Sequence, residues 1–291
     1  MFTADRRIKF AVLSILSNSA LIILKIVAGV ISGSVSIISE AIHSSMDLVA
    51  SLVAFFSVKQ SSKPADRRHP YGHGKIENIS GIIEGVLIFI AAAMIINKSY
   101  NKIFEPAAIE QADVAIAVMI VSSVVNFFVS RKLYKVSKEE DSMALEADAL
   151  HLKTDVYTSL GVGLGILLIK VTGLAILDPI VAILVALLII KEAWVLCKNA
   201  IDFLLDVKLT DKEEDEIEMI IKEHSHQFIG YHKLKTRKSG NMKHIDFHIV
   251  VDPDLTVKEA HDIIGSLKKD MSNKYKNTRV NIHVDPKKSD D

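Results

Sequence analysis

Long apolar runs separated by short charged segments fill the chain up to about residue 205, and a mixed polar pattern takes over after it. A helix rises about 1.5 Å per residue and the hydrocarbon core of a bilayer is about 30 Å thick, so a crossing takes roughly 20 residues. The runs predict spans near 8–30, 34–58, 77–97, 112–132, 144–170 and 177–197. Two of them are unlike lipid-facing helices. The second carries Ser34, Ser36, Ser39, Glu40, His43, Ser44, Ser45 and Asp47. The fifth is apolar only from about Leu160 to Val171, and its first half holds Glu146, Asp148, His151, Lys153 and Asp155. Polar groups at such depth are tolerated when they face a bundle interior or a water-filled cavity. These two helices are therefore expected inside the bundle, facing each other.

Beyond the last run the pattern predicts helix, strand, strand, helix, strand. Asp211 to Glu223 spaces Ile217, Ile220 and Ile221 on one helical face. Tyr231 to Arg237 is a predicted strand ended by Ser239-Gly240-Asn241, a hairpin signal. Met242 to Val251 puts Ile245, Phe247 and Ile249 on one face and His244, Asp246 and His248 on the other. Thr256-Val-Lys-Glu259 is a capping-box pattern opening a helix to Tyr275, and Thr278 to Asp285 is a last strand. The expected organisation is a transmembrane domain over 1–206 and a water-soluble α+β domain over 207–291.

Composition agrees with a chain divided between lipid and water. Of 291 residues 49% are hydrophobic, and the mean hydropathy is positive. A net charge of +0 gives no indication of nucleic acid. One cysteine, Cys197, excludes a disulfide framework or a Cys-rich zinc site within a chain. The start lacks a small-residue cleavage pattern, so the first run is expected to remain as a span. Basic residues set the orientation. Arg6, Arg7, Lys9, Lys59, Lys63, Arg67, Arg68, Lys75, Arg131, Lys132, Lys135 and Lys138 fall on one side, against Lys98, Lys102 and Lys170 on the other. Both termini and the tail are then expected in the cytoplasm. Short loops and a compact tail point to a bacterial plasma membrane.

His43 and Asp47 are four residues apart, as are His151 and Asp155. Residues so spaced share a helical face. The second span enters from outside near Ser34 and the fifth from inside near Ser142, and each pair is centred eleven residues later. Both pairs thus lie roughly 16 Å deep, near the midplane. Two imidazoles and two carboxylates make a tetrahedral set suited to Zn²⁺. One buried polar residue is ordinarily a helix–helix hydrogen bond; two matching pairs at one depth exceed that explanation, because each carboxylate at mid-membrane costs about 2.5–3.5 kcal/mol. Glu84 and Asn126, also within spans, are expected to make interhelical hydrogen bonds. Gly161-Val-Gly163-Leu-Gly165 mimics a nucleotide loop, but its apolar setting indicates close helix packing through Gly161 and Gly165.

Four stretches resemble the cation diffusion facilitator family of metal/proton antiporters: Ser39-Glu-Ala-Ile-His-Ser-Ser-Met-Asp47, Pro64-Ala-Asp-Arg-Arg-His-Pro-Tyr-Gly-His-Gly-Lys75, Ala149-Leu-His-Leu-Lys-Thr-Asp155 and Ile282-His-Val-Asp-Pro286. The resemblance implies six spans, a cytoplasmic ferredoxin-like (αββαβ) domain, and a homodimer that moves divalent metal outward in exchange for protons. It implies a transport site of His43, Asp47, His151 and Asp155, and a loop site of Asp66, His69 and His73. It also implies a cytoplasmic two-zinc centre of His232, His248, His261, His283 and Asp285. Zn²⁺ is then both substrate and a bound metal of the tail. Val284 departs from members with a polar residue there, which is expected to weaken one tail position. His224, His226 and His244 have no family counterpart and are expected to be exposed.

Imidazole in both pairs favours zinc, whereas all-oxygen sets suit manganese; cadmium, cobalt and ferrous iron have overlapping tastes. A metal-dependent hydrolase would need an open coordination position and a base, and no such motif is present, so no enzymatic activity is expected. A membrane-anchored metal sensor is the other reading, but an anchor has no use for the midplane residues.

Overall fold

A computed structural model of the chain describes residues 6–32, 35–104, 113–174 and 176–287; certain helical side chains, those of Glu40, His43 and Asp178 among them, lie outside the described set. The chain divides into two compact units, Met1–Ile201 and Asp202–Asp291.

The first unit is built from six long helices: α1 (Arg6–Ser32), α2 (Val35–Ser61), α3 (Ile76–Phe104), α4 (Asp113–Glu140), α5 (Met143–Thr172) and α6 (Leu177–Leu204). Each has 27 to 30 residues, or about 40–45 Å of helix. Among the described residues four segments are long and apolar enough to cross a membrane: Arg6–Ile31, Ile76–Asn101, Ala117–Glu140 and Pro179–Leu204. The other two long helices, α2 and α5, are those in which the sequence concentrates polar groups at depth.

The bundle is polar inside and apolar outside. Leu16, Ile23, Val30, Phe56, Ile90, Phe128, Leu184 and Trp194 are exposed, while Asp47, Glu77, Glu84, Asp148 and His151 are buried. In water such a surface would be an aggregation hazard; in lipid it is the expected arrangement. Fully buried alanines at 11, 50, 54, 92, 144, 147, 186, 193 and 200 let the helices approach closely. At Gly161 a Cβ would lie 2.8 Å from Val185 Cγ2, so α5 and α6 meet there, as the sequence leads one to expect; Gly165 lies outside the described side chains.

At the end of the bundle where α3 and α5 begin, a polar knot closes the structure. Arg7 on α1 donates to Glu77 Oε1 on α3 at 2.6 Å. Ser61 donates to the same oxygen at 2.6 Å, and Ser142, just ahead of α5, donates to Oε2. Arg6 pairs with Glu139 at 2.7 Å, joining α1 to α4.

The second unit runs α7 (Asp211–Glu223), a short 3₁₀ turn (Ser225–Gln227), β1 (Gly230–Ser239), β2 (Met242–Val251), α8 (Val257–Lys274) and β3 (Thr278–Pro286). Both helices begin with capping boxes, Thr210/Glu213 and Thr256/Glu259; the sequence reading had identified only the second. The sheet order is β1-β2-β3. The hairpin β1–β2 is antiparallel and turns at Gly240, whose φ of 59° suits a two-residue loop. Strand β3 returns parallel to β2 after α8, as a parallel pair requires a crossover. Ile245, Phe247 and Ile249 pack with Ile217, Ile221, Ile263, Leu267 and Met271 in one core. The opposite face of the sheet carries the histidines.

Candidate metal centres

Helices α2 and α5 pack together and bring three of the four midplane residues into one group. Donor atoms of Asp47, His151 and Asp155 all lie within 4.8 Å of one another. His151 Nε2 lies 3.1 Å from Asp47 Oδ1, and its Nδ1 is buried without a hydrogen-bond partner among the described residues. Asn126 on α4 donates to Asp155 Oδ2 at 3.3 Å, so its interhelical bond orients a member of the group. The side chain of His43, the fourth expected residue, lies outside the described set; its place on α2 is one helical turn before Asp47.

Glu84 behaves differently from the expectation for it. It is fully buried on α3, and among the described residues neither carboxylate oxygen has a hydrogen-bond partner. No interhelical bond to a described residue explains it.

The second group lies in the loop between α2 and α3. Asp66 Oδ1 accepts from the backbone N–H of Arg68 at 2.8 Å and of His69 at 2.7 Å. Those bonds, the His69 N–H foremost, hold the Asp66 carboxyl below the usual aspartate range. His69 Nδ1 is 3.2 Å from Asp66 Oδ1 and His73 Nε2 is 3.4 Å from Oδ2. Gly72, at φ 86°, makes the turn that brings His73 back towards Asp66. His73 is buried, and its Nδ1 has no hydrogen-bond partner.

The third group sits on the open face of the sheet. Pairing aligns His232 of β1 with His248 of β2, and His248 with His283 of β3. Adjacent rings are 5.1 and 4.6 Å apart, centre to centre. Asp285, two residues along the same face, reaches His248 Nδ1 at 2.9 Å, His283 Nε2 at 3.2 Å and His232 Nε2 at 3.3 Å. The His248 bond leads the interactions that keep its carboxyl below the ordinary range. Donor atoms of His232, His248 and Asp285 converge within 4.8 Å. An aspartate held ionised among imidazoles is a donor set suited to zinc.

His261 lies elsewhere. It is on α8 and lines a cavity of about 340 Å³ with Leu255, Ile264 and Val284. Side chains alternate along a strand, so Val284 packs on the core side while His283 and Asp285 face the other way. A polar residue at 284 would stand with His261 and not in the histidine row. Two of the unassigned histidines are not exposed. His244 is 4% exposed, and burial, with Arg237 and Arg279 nearby, moves its imidazole below the usual range. His224 is half-buried and pairs with Asp270 at 2.9 Å. Only His226 of the three is exposed.

Three groups of this kind, one of them between buried helices, accompany a match to the cation efflux transmembrane domain over residues 11–205 and to the cation efflux cytoplasmic domain over 209–287. The chain belongs to the cation diffusion facilitator family. It is similar to an uncharacterized transporter of Synechocystis sp., with 34% identity over 95% of this chain and 89% of the relative. It is similar to the cation-efflux pump FieF of Shewanella oneidensis, with 29% identity over 94% of this chain and 92% of the pump. The manganese efflux system protein MneP of Bacillus subtilis is 28% identical over 96% of this chain and 95% of its own length. As a cation diffusion facilitator the protein is an integral membrane transporter that exports divalent metal cations, and the family is not one of enzymes.

Two features of this member were missed in the sequence. The Arg7–Glu77 pair joins residues 70 positions apart, and no periodicity couples them. Asp148 stood out as polar, but its bond from Ser51 on α2, at 3.0 Å, depends on how the helices pack.

Proposed function

We propose that this cation diffusion facilitator carries Zn²⁺ out of the cytoplasm in exchange for protons, with His43, Asp47, His151 and Asp155 as its transport site. The convergence of Asp47, His151 and Asp155 between α2 and α5 supports the reading most directly. Protein ligands bind metal as neutral imidazole and ionised carboxylate. The pairing of His151 with Asp47 is the arrangement that results when a proton, in place of a metal, bridges the two. Metal and proton thus exclude one another at one place, and alternating access converts that exclusion into antiport.

The same reading puts six spans in the membrane and both termini, with the tail, in the cytoplasm of a bacterial cell. The tail has the α-β-β-α-β order of a ferredoxin-like domain. Its His232, His248, His283 and Asp285 would hold zinc and join two copies of the chain, and His261, which lies apart from them within one chain, would reach that centre from the second copy; Asp66, His69 and His73 would hold zinc in the loop. Metal on the tail would stabilise the dimer and report cytoplasmic load.

The test is Zn²⁺ uptake into inside-out vesicles, where zinc export by the cell becomes entry. Uptake that grows with an imposed pH gradient, acid inside, and collapses with a protonophore supports antiport. Uptake indifferent to the gradient would mean a channel or uniporter. A second reading, broader selectivity covering Mn²⁺, Fe²⁺, Co²⁺ and Cd²⁺, is favoured by the similarity to a manganese efflux protein and by the two carboxylates in the described group. Competition of each ion against Zn²⁺ in the same vesicles decides between them.

A further inference from the structure

The metal groups do not use one buried acid. Among the described residues, Glu84 is 0% exposed and neither of its oxygens has a hydrogen-bond partner. Across the α3–α5 packing is Asp148, also 0% exposed, whose Oδ1 accepts from Ser51 and whose Oδ2 has no described hydrogen-bond partner.

The levels follow from the helices. Glu77 and Ser142 are bonded to each other where α3 and α5 begin. Glu84 lies two turns beyond Glu77, ~10 Å along α3, and Asp148 lies ~9 Å beyond Ser142 along α5. The two acids therefore stand at nearly one depth, one turn short of His151. Among the described titratable groups on helices packed against α3, Asp148 is the one that acts on Glu84; Glu40 and His43 on α2 lie outside the described side chains. Asp47 on α2 and His151 and Asp155 on α5 form the metal group. Lys153 and Glu192 pair with each other. On α6, Cys197 lies against Ile82 and Gly85. On α3 itself, Glu77 already has Arg7.

A carboxylate enclosed without a hydrogen bond or a neighbouring cation is strongly disfavoured at that depth; the stable form is the neutral acid. A cation one turn away reverses the preference, because it favours the anion. We propose that Glu84 is a proton carrier of the transport cycle, holding a proton while the Asp47–His151–Asp155 group is empty of metal and releasing it when the cation binds there. The O–H proton leaves through the Asp148 carboxylate towards the cytoplasm, and Glu84 remains as the anion until metal departs. The metal ligands still give up their own protons to the ion in this account, so Glu84 adds one more to the exchange without touching the ion.

The inference rests on the antiport reading, and its test separates the two. Protons released per Zn²⁺ bound are counted with a pH indicator in weakly buffered detergent solution, for the wild type and Glu84→Gln. The variant is expected to bind as many zinc ions while releasing close to one proton fewer per chain. Equal release by the two proteins overturns the role of Glu84 and leaves antiport standing. No release by the wild type removes antiport and this inference with it. An infrared measurement on the wild type covers the case in which the variant does not fold. Zinc should abolish a carboxylic-acid carbonyl band that shifts when glutamate is ¹³C-labelled, and the absence of a glutamate-sensitive band overturns the proposal.

Discussion

Removing one side of the Arg7–Glu77 pair should unfold the bundle more readily than removing both. Arg7 is 5% exposed and Glu77 is 0% exposed, and they meet at 2.6 Å. Arg7→Met leaves the Glu77 carboxylate buried with only the hydroxyls of Ser61 and Ser142. Breaking a buried pair from one side costs about 3–5 kcal/mol. The two hydroxyls still serve the carboxylate, each worth about 1.5 kcal/mol or more towards a charged group, so the lower end, about 3 kcal/mol, is expected. Glu77→Met takes from the guanidinium its buried carboxylate at 2.6 Å, with Ser62 Oγ at 3.0 Å among its remaining partners, for a comparable loss. The double variant removes both charges, and its apolar replacement should stand within about 1 kcal/mol of the wild type. The coupling energy is then several kcal/mol, well above what separated sites show. Unfolding by SDS in mixed micelles, followed by the fluorescence of Trp194, the chain's single tryptophan, provides the cycle. Single variants losing less than about 1 kcal/mol, or losses that simply add, would refute the reasoning.

Two further outcomes follow from packing and charge. At Gly85 a Cβ would lie 2.2 Å from Cys197 Sγ, so Gly85→Ala should lower the melting temperature and Cys197→Ala in the same chain should restore much of it; no rescue would place the strain elsewhere. Asp285, depressed by His248 and its neighbours, contributes stability that is present above the ordinary aspartate value of about 3.9 and lost as pH falls through its lower folded value. An NMR titration of its carboxyl carbon should therefore show a midpoint below that value, returning upwards in His248→Ala, and a midpoint unmoved by the substitution would contradict the assigned contact.

What the sequence revealed and what it concealed divide along physical lines. All six long helices and the five regular elements of the tail follow from apolar periodicity and turn chemistry, because those signals are local. The i, i+4 pairs were visible for the same reason, and the core face Ile245-Phe247-Ile249 was legible from alternation alone. Contacts between distant segments were not. Nothing in the chain couples Arg7 to Glu77, or tells that Glu84 would find no hydrogen-bond partner among the described residues where Asn126 finds Asp155. The burial of His244 was hidden because alternation distinguishes the two faces of a strand without saying that the second, open at the histidine row, is covered locally at His244. His261 and Val284 show another limit. The family resemblance groups His261 with the histidine row, whereas within one chain strand alternation and the position of α8 put His261 and Val284 on the other side of the sheet.

The central claim is that the metal travels through the group between α2 and α5. The most direct measurement is Zn²⁺ flux in proteoliposomes under an imposed pH gradient, for the wild type and Asp155→Ala side by side, with circular dichroism and size exclusion confirming that the variant folds. Flux that follows the gradient in the wild type and disappears in the folded variant is the predicted result. Undiminished flux in Asp155→Ala would contradict the account, since the ion would then be crossing without the group assigned to carry it.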